Sequence, residues 1–166
     1  NTINGKGGVR QALGNQYSSW EEAKADILGL YMVCSLIDKG EITSITKEDA
    51  VTTFIAGILR SVRFGAASAH GVANMMCFNF FEDNKAFTKN QEGIYTIDYA
   101  NAFKAINSWA AKILEVEGTG DIEGAKAYSE KNGQIRPSLQ ETLDVINGKN
   151  IPKDIRYEQG KKVLGL

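Results

Sequence analysis

Three carboxylates at the start of a predicted apolar helix are the residues of this sequence best suited to chemistry. Glu21, Glu22 and Asp26 precede an apolar stretch that continues through Tyr31. Because Glu22 and Asp26 are four residues apart, their side chains share one face of a helix and could serve one cation together. Two carboxylates do not complete a metal site, since a catalytic zinc ion takes about three protein ligands.

A purely structural interpretation of the same acids is that they cap the helix. Ser18 and Ser19 each precede a glutamate by three residues, which is the spacing of a capping box, and acids in a first turn favour the positive end of the helix dipole. Asp26 fits this interpretation poorly. It lies beyond the cap, in a helix predicted to enter the protein interior, where an unpaired carboxylate is costly.

His70 is the one histidine of the chain. It lies among alanines and glycines of a predicted helix, and Asn74, four residues further on, shares its face. One interpretation is a core histidine satisfied by a single hydrogen-bond partner, and the other is a donor that lines a cleft. The patterns His-Glu-x-x-His and Gly-x-Ser-x-Gly, which mark other kinds of catalytic site, do not occur in the sequence.

Length and composition predict one compact globular domain, because 166 residues with 43% hydrophobic content can bury a substantial core. The net charge of -1 argues against a nucleic-acid partner. No apolar run is long enough for a membrane span, and no signal core follows the N-terminus, so no membrane partner is predicted. Cys34 and Cys77 lie in apolar helical runs, which predicts buried thiols and a reducing, cytoplasmic location.

Apolar spacing predicts a mainly α fold with at most a short two-stranded ribbon between Glu82 and Thr96. The predicted helices run from about Trp20 to Lys39, from Thr46 towards Gly65, through residues 66–81, from Thr96 or Asp98 towards Gly118, from about Asp121 to Lys131, and from Pro137 to Ile146. A single domain is predicted over 1–166, with a loop-like lead-in over 1–17, a helical core over 18–150 and an extended tail over 151–166.

The acidic segment resembles a known family signature. Glu21-Glu22-Ala23-Lys24-Ala25-Asp26 and the apolar helix behind it resemble the second signature of the dipeptidyl peptidase III family of zinc metallopeptidases, Glu-Glu-x-Arg-Ala followed by Glu or Asp. The family's first signature, His-Glu-x-x-Gly-His, supplies two zinc ligands and a general base, and it does not occur here. The resemblance implies the C-terminal part of such a hydrolase, with a peptide substrate and a missing N-terminal region. Some relatives also carry a Nudix domain.

Carried over by position, the resemblance assigns a role to each acid. Glu22 matches the third zinc ligand, and Glu21 and Asp26 match flanking acids that orient imidazole ligands by accepting their free N–H groups. Lys24 stands where the signature has arginine, so the charge is kept but the bidentate geometry of a guanidinium is lost.

The resemblance also covers the segment around His70. His70 matches a cleft histidine that donates a hydrogen bond to the oxyanion developing in the transition state, which makes it the expected catalytic residue of this chain. Asn74 falls at a substrate-binding position where classical members have arginine, which argues against a strict dipeptide-releasing specificity.

Two functions follow as hypotheses. The first is a portion of a zinc peptidase that is inactive as an isolated chain, because it lacks His-Glu-x-x-Gly-His. The alternative is a non-enzymatic helical scaffold or interaction module, in which the acids of the signature do no more than cap a helix.

Overall fold

The computed structural model describes residues 1–155 and 157–166, and its architecture is mainly helical, as predicted. The elements in chain order are α1 (Val9–Leu13), α2 (Tyr17–Asp38), α3 (Lys47–Ser61), α4 (Ala69–Asp83), β1 (Phe87–Lys89), β2 (Tyr95–Ile97), α5 (Tyr99–Thr119), α6 (Ile122–Asn132), α7 (Pro137–Gly148) and α8 (Lys161–Leu164). Among these residues, no helix has both the length and the apolar character that crossing a bilayer requires.

Helix α2 begins earlier than predicted, and the predicted serine capping boxes do not form. Its first residue is Tyr17, and Gln16 before it already has helical backbone angles and no side-chain cap. The hydroxyl of Ser19 donates to the carbonyl of Gln16, at 3.1 Å. The capping prediction is wrong because the chain enters α2 from a 3-10 turn, Gly14–Gln16, and therefore needs no extended capping residue.

Helix α2 packs against α3, α4 and α5, which agrees with its predicted central position. Its buried face includes Trp20, Ile27 and Leu30. The opposite face is more open than its apolar sequence suggested, because Met32 is 59% exposed and Leu36 is 40% exposed. The acidic signature lies in the first turns of this helix, where one flank contacts α5 and the other contacts α4.

Helices α3 and α5 begin at the predicted capping residues. The Thr46 hydroxyl accepts a hydrogen bond from the Asp49 backbone N–H, and the Asp49 carboxylate accepts one from the Thr46 N–H, which completes a capping box. Asp98 caps α5 by accepting from Asn101 N–H. Gly120 ends α5 in the left-handed conformation, with φ 58°, which a residue with a Cβ adopts only at a cost.

Helix α4 carries the densest core segment of the chain. Its middle and end are almost entirely buried, and the fully buried Met75 and Met76 lie among them. At its start, Gly71 lies against the backbone of Gly65 and Ala66. A Cβ on Gly71 would clash with the carbonyl of Gly65 and lie 3.0 Å from the Cα of Ala66. The absence of a side chain at Gly71 therefore allows this close approach.

One cluster of buried apolar residues joins these helices. The two tryptophans belong to it, both fully buried, with ring centroids 6.0 Å apart. The indole N–H of Trp20 donates to the Ser129 hydroxyl at 3.0 Å. The predicted ribbon is present as the antiparallel pair β1 and β2, in which Thr88 faces Thr96.

The two chain ends differ from their predictions. The lead-in 1–17 contains α1 and a 3-10 turn, so the loop-like prediction is wrong beyond Gly8; the residue that anchors this segment is Leu13, which is fully buried. The tail 151–166 contains the short helix α8. Before that helix, the guanidinium of Arg63 donates to the carbonyls of Ile151, at 2.7 Å, and Pro152, at 3.1 Å.

Candidate functional site

The structure brings Glu22 and His70 into direct contact. Nδ1 of His70 lies 3.0 Å from Oε2 of Glu22, although the two residues are 48 positions apart. Both side chains are about half exposed, at 48% for Glu22 and 51% for His70. The interpretation of His70 as a buried core histidine is therefore wrong, and the pair is open to solvent.

Local structure explains why these two side chains meet. Glu22 projects from the second turn of α2, and His70 from the first turn of α4, which packs against α2. The hydroxyl of Ser68 caps α4 by accepting from Gly71 N–H at 3.0 Å. Gly71 also lies tightly against the Gly65 backbone. The cap and this backbone contact together fix the position of the first turn of α4, and so place His70 next to Glu22.

Asp26 lies one turn beyond Glu22 and is partly buried. Burial raises the pKa of Asp26 above its ordinary value, a positively charged His70 opposes that rise, and the Glu22 carboxylate adds to it. Its carboxylate makes no hydrogen bond to any side chain or backbone group that the structure describes. Asp26 is thus near the Glu22–His70 pair and has acceptor capacity to spare.

An apolar groove of about 510 Å³ opens beside Asp26, between α2 and α3. Its lining combines small and branched apolar side chains with few polar groups: Ala25, Asp26, Gly29, Leu30, Val33, Ile45, Asp49, Ala50, Thr53 and Phe54. Asp26 therefore lies where an open apolar surface meets the charged pair.

Glu21 is directed to a different neighbour from Glu22. Its Oε2 lies 2.8 Å from Nζ of Lys24, and the same ammonium lies 2.8 Å from Oε2 of Glu117 on α5. Burial works against the charge of Lys24, but the hydrogen bonds to Glu117 and Glu21 outweigh it and raise the pKa of the lysine. Burial raises the pKa of Glu117, and the Lys24 ammonium offsets part of that rise.

Sequence reasoning missed Glu117, because the residue is 93 positions away from Lys24. Only 5% of Glu117 is exposed. The one signal in the sequence is its position in the last turn of α5, where the helix dipole disfavours a carboxylate. An acid at that position calls for a cationic partner from another element.

Asn74 does not join the Glu22–His70 pair. It is 5% exposed, and its side-chain N–H donates to the hydroxyl of Ser61 at 2.8 Å. His70 and Asn74 share a helix face by spacing, but the first turn of α4 is exposed at His70 and the helix is buried by the time it reaches Asn74. The amide therefore links α4 to the end of α3.

The side chains that the structure describes do not form a complete metal site by themselves. Among the residues that the structure describes, no three His, Cys, Asp or Glu side chains are grouped so that they could hold a metal ion. Glu22 and His70 form a pair, Asp26 lies nearby, and Glu21 is paired with Lys24. This arrangement could offer a cation one carboxylate, with a histidine beside it.

The sequence is similar to part of a much longer protein. Nudix hydrolase 3 of Arabidopsis thaliana is 34% identical over 147 residues, which cover 89% of this chain and 19% of the relative. No family model matches the chain. The chain thus spans about a fifth of the curated relative that it matches.

Two solved structures share the fold. Dipeptidyl peptidase III from Caldithrix abyssi superposes with a TM-score of 0.83 at 29% identity, over 89% of this chain and 28% of that chain. Dipeptidyl-peptidase III from Corallococcus sp. strain EGB superposes with a TM-score of 0.84 at 36% identity, over 89% of this chain and 27% of that chain. The resemblance to the dipeptidyl peptidase III family that the acidic signature indicated is confirmed.

Proposed function

Because the chain shares sequence and fold with part of the dipeptidyl peptidase III enzymes, we propose that it is a portion of a longer zinc-dependent peptidase. In this proposal Glu22 is the third zinc ligand and His70 is the cleft histidine. The observation that carries the proposal is the contact between them: Glu22 Oε2 and His70 Nδ1, from two helices, are 3.0 Å apart on an open face.

The donor groups of the chain fit one part of a zinc site. The carboxylate of Glu22 is half exposed, and carboxylates complete zinc sites that are otherwise built from imidazoles. The sequence contains no second histidine, so the remaining ligands come from the missing N-terminal region that the resemblance implies. When bound, the ion supplies the Lewis acidity for hydrolysis of a peptide bond.

His70 acts on the substrate through its second ring nitrogen. Nδ1–H donates to Glu22, and a protonated imidazole can donate from Nε2 as well. Nε2 accepts or donates no hydrogen bond within the described part of the chain, and half of the side chain is exposed. In this proposal Nε2–H stabilises the oxyanion of the peptide carbonyl, with Glu22 holding the ring in place.

Asp26 and Glu21 orient the imidazole ligands in this proposal. The free acceptor capacity of Asp26 and its position one turn from Glu22 support that role. Glu21 gives one oxygen to Lys24 and keeps the other for an imidazole N–H.

Asn74 stands at the position that the resemblance assigns to substrate contact. Its side chain is neutral, 5% exposed and hydrogen-bonded to Ser61, so it offers a substrate no charged anchor. In this proposal, therefore, residue 74 does not restrict the enzyme to the release of dipeptides. We place the whole enzyme in the cytoplasm, which agrees with the buried free thiols of Cys34 and Cys77.

The test begins with the coding region upstream of Asn1, where the proposal requires a His-Glu-x-x-Gly-His segment. The complete protein is then purified, and its zinc content and its hydrolysis of short peptides are measured. Glu22→Gln is expected to weaken zinc binding by about 10-fold or more. Loss of an outer hydrogen-bond partner alone costs a metal site about 10-fold in affinity, and loss of a direct ligand should cost at least as much. Unchanged zinc affinity would show that the ligand assignment is wrong.

The isolated 166-residue chain provides the complementary test. It is expected to hydrolyse no peptide with added zinc, because one carboxylate and one histidine do not form a catalytic zinc site. Hydrolysis by the isolated chain would overturn the proposal that it is an incomplete portion. Absence of the upstream segment would favour a helical scaffold.

A further inference from the structure

A chain of ion pairs, buried at one end only, lies on the flank of α2 that faces away from His70. The ammonium of Lys24 contacts Glu21 within α2 and Glu117 on α5, each at 2.8 Å. The side chain of Glu117 is 6% exposed, whereas that of Glu21 is 39% exposed. The chain of contacts therefore runs from the interior, through Lys24, to the exposed surface that bears the acidic signature.

Stability alone is a poor explanation for Glu117. Its carboxylate lies at the negative end of the α5 dipole. Its second oxygen, Oε1, is buried and has no hydrogen-bond partner within residues 1–155 and 157–166. Buried ion pairs contribute little net stability compared with apolar side chains of similar size. The burial of the Glu117 carboxylate is unfavourable, and its one well-formed contact is with Lys24. A role in placing Lys24 beside Glu21 explains Glu117 better than a contribution to stability.

We propose that Lys24 and Glu117 are positioning residues, which fix the carboxylate of Glu21 so that its second oxygen accepts an imidazole N–H at the metal site. This inference rests on the proposed function, because it needs Glu21 beside a metal ligand. Glu117 holds the ammonium from α5, and the ammonium holds Oε2 of Glu21. The rotamer of Glu21 is thereby fixed by contacts on one side of α2, whereas Glu22 is held by His70 on the other side.

The decisive experiment measures zinc affinity of the complete protein by competition with a chelator. Lys24→Met is expected to weaken zinc binding by about 10-fold, the scale on which outer hydrogen-bond partners affect metal sites. Lys24→Arg is expected to restore the affinity, because a guanidinium can serve Glu21 and also reach the unpartnered oxygen of Glu117. Failure of Lys24→Arg to restore the affinity would overturn the proposal.

A double-mutant cycle separates positioning from a general structural role. If Lys24 acts through Glu21, then Lys24→Met has no further effect on zinc affinity once Glu21→Ala is present. Additive losses would overturn the proposal. Lys47→Met is the matched control, since Lys47 makes a 2.7 Å ion pair with Asp38 and is 30% exposed, against 25% for Lys24. Lys47 begins α3 and contacts Asp38 at the far end of α2 from Glu21. The zinc affinity of the Lys47→Met protein is therefore expected to stay unchanged.

A second variant covers the case in which Lys24→Met does not fold. Glu117→Gln keeps the shape of the side chain and removes its charge, so weaker zinc binding is expected, again with no further loss when Glu21→Ala is present. Unchanged affinity in Glu117→Gln would contradict the proposal. Glu22→Gln is measured in parallel: if it leaves zinc affinity unchanged, the proposed function itself fails, whereas a loss there without any effect of Lys24 and Glu117 refutes only the positioning role.

Discussion

Neighbouring residues of one type acquire different properties because they face different elements. Glu21 and Glu22 are adjacent in sequence, but Glu21 binds Lys24 and Glu22 binds His70. Asp26, one turn later, is partly buried and has a raised pKa. The sequence identified these acids as a group, since their spacing is visible. It did not reveal the long-range contacts, which join Glu22 to a residue 48 positions away and Lys24 to one 93 positions away.

The two tryptophans provide a test at the level of single residues. Both are fully buried, but the indole N–H of Trp20 donates to Ser129, whereas that of Trp109 is buried with no partner in the part of the chain that the structure describes. Trp20→Phe is therefore expected to lower the free energy of unfolding by about 1 kcal/mol more than Trp109→Phe, because only the first loses a hydrogen bond. Urea denaturation of both variants measures the difference, and equal losses would contradict it.

At the level of elements, local signals predicted the helices well. Thr46 precedes α3 as its cap, at the predicted start, and Pro137 begins α7 as predicted. Prediction failed where a contact from another element decides the conformation. Helix α1 forms beside a glycine-rich stretch because Leu13 is buried. Helix α2 continues from a 3-10 turn, so no capping residue marks its start in the sequence.

The start of α4 depends on the absence of a side chain at position 71. A Cβ there would clash with the Gly65 carbonyl, so Gly71→Ala is expected to push the first turn of α4 away and to cost about 1–3 kcal/mol of stability. Under the proposed function, the zinc affinity of the complete protein should fall as well, because Glu22 loses the contact with His70 that holds it. Gly57→Ala is the control, since a Cβ at this helical position meets nothing within 4 Å. Equal behaviour of the two variants would refute the packing argument.

An ion pair joins the end of α4 to the start of α7. Arg136 contacts both carboxylate oxygens of Asp83, and its hydrogen bonds lower the pKa of Asp83. A lowered folded-state pKa stabilises the fold above the unfolded pKa and is lost as pH falls through the folded pKa. Asp83→Asn should therefore cost about 0.5–1 kcal/mol at pH 7, a small value because Asp83 is half exposed.

The same variant has a defined pH dependence. Its deficit in the free energy of unfolding should shrink as pH falls below about 4, because the wild-type carboxylate then loses its charge too. Denaturation curves at neutral and acidic pH measure this change. A deficit that is the same at both pH values would show that charge pairing with Arg136 is not its cause.

At the level of the whole molecule, the polypeptide after α7 is held by a few polar contacts and little burial. The carbonyls of Ile151 and Pro152 accept hydrogen bonds from Arg63. The contact between Arg60 and Asp154 is longer, at 3.4 Å, and both of its side chains are mostly exposed. Arg63 is thus the main link between the tail and the helical body in the described part of the chain.

Removal of that link should release the tail. Arg63→Ala is expected to make the segment around Ile151 several-fold more sensitive to limited proteolysis, because its two carbonyls lose their donors. Arg60→Ala is the matched control, since the exposed contact to Asp154 contributes little. Mass spectrometry of the early fragments identifies the cleavage site, and equal rates for the two variants would contradict the role of Arg63.

The opposed attachments of Glu21 and Glu22 have a consequence for how this region can change over evolution. Each residue added to or removed from a helix rotates everything beyond it by about 100°. An insertion between Glu22 and Ile27 would rotate both carboxylates relative to the buried face of α2, and so away from the contacts with Lys24 and His70 at once. Homologous sequences should therefore tolerate substitutions on the exposed face of α2 and yet keep the stretch from the acidic pair to Ile27 free of gaps.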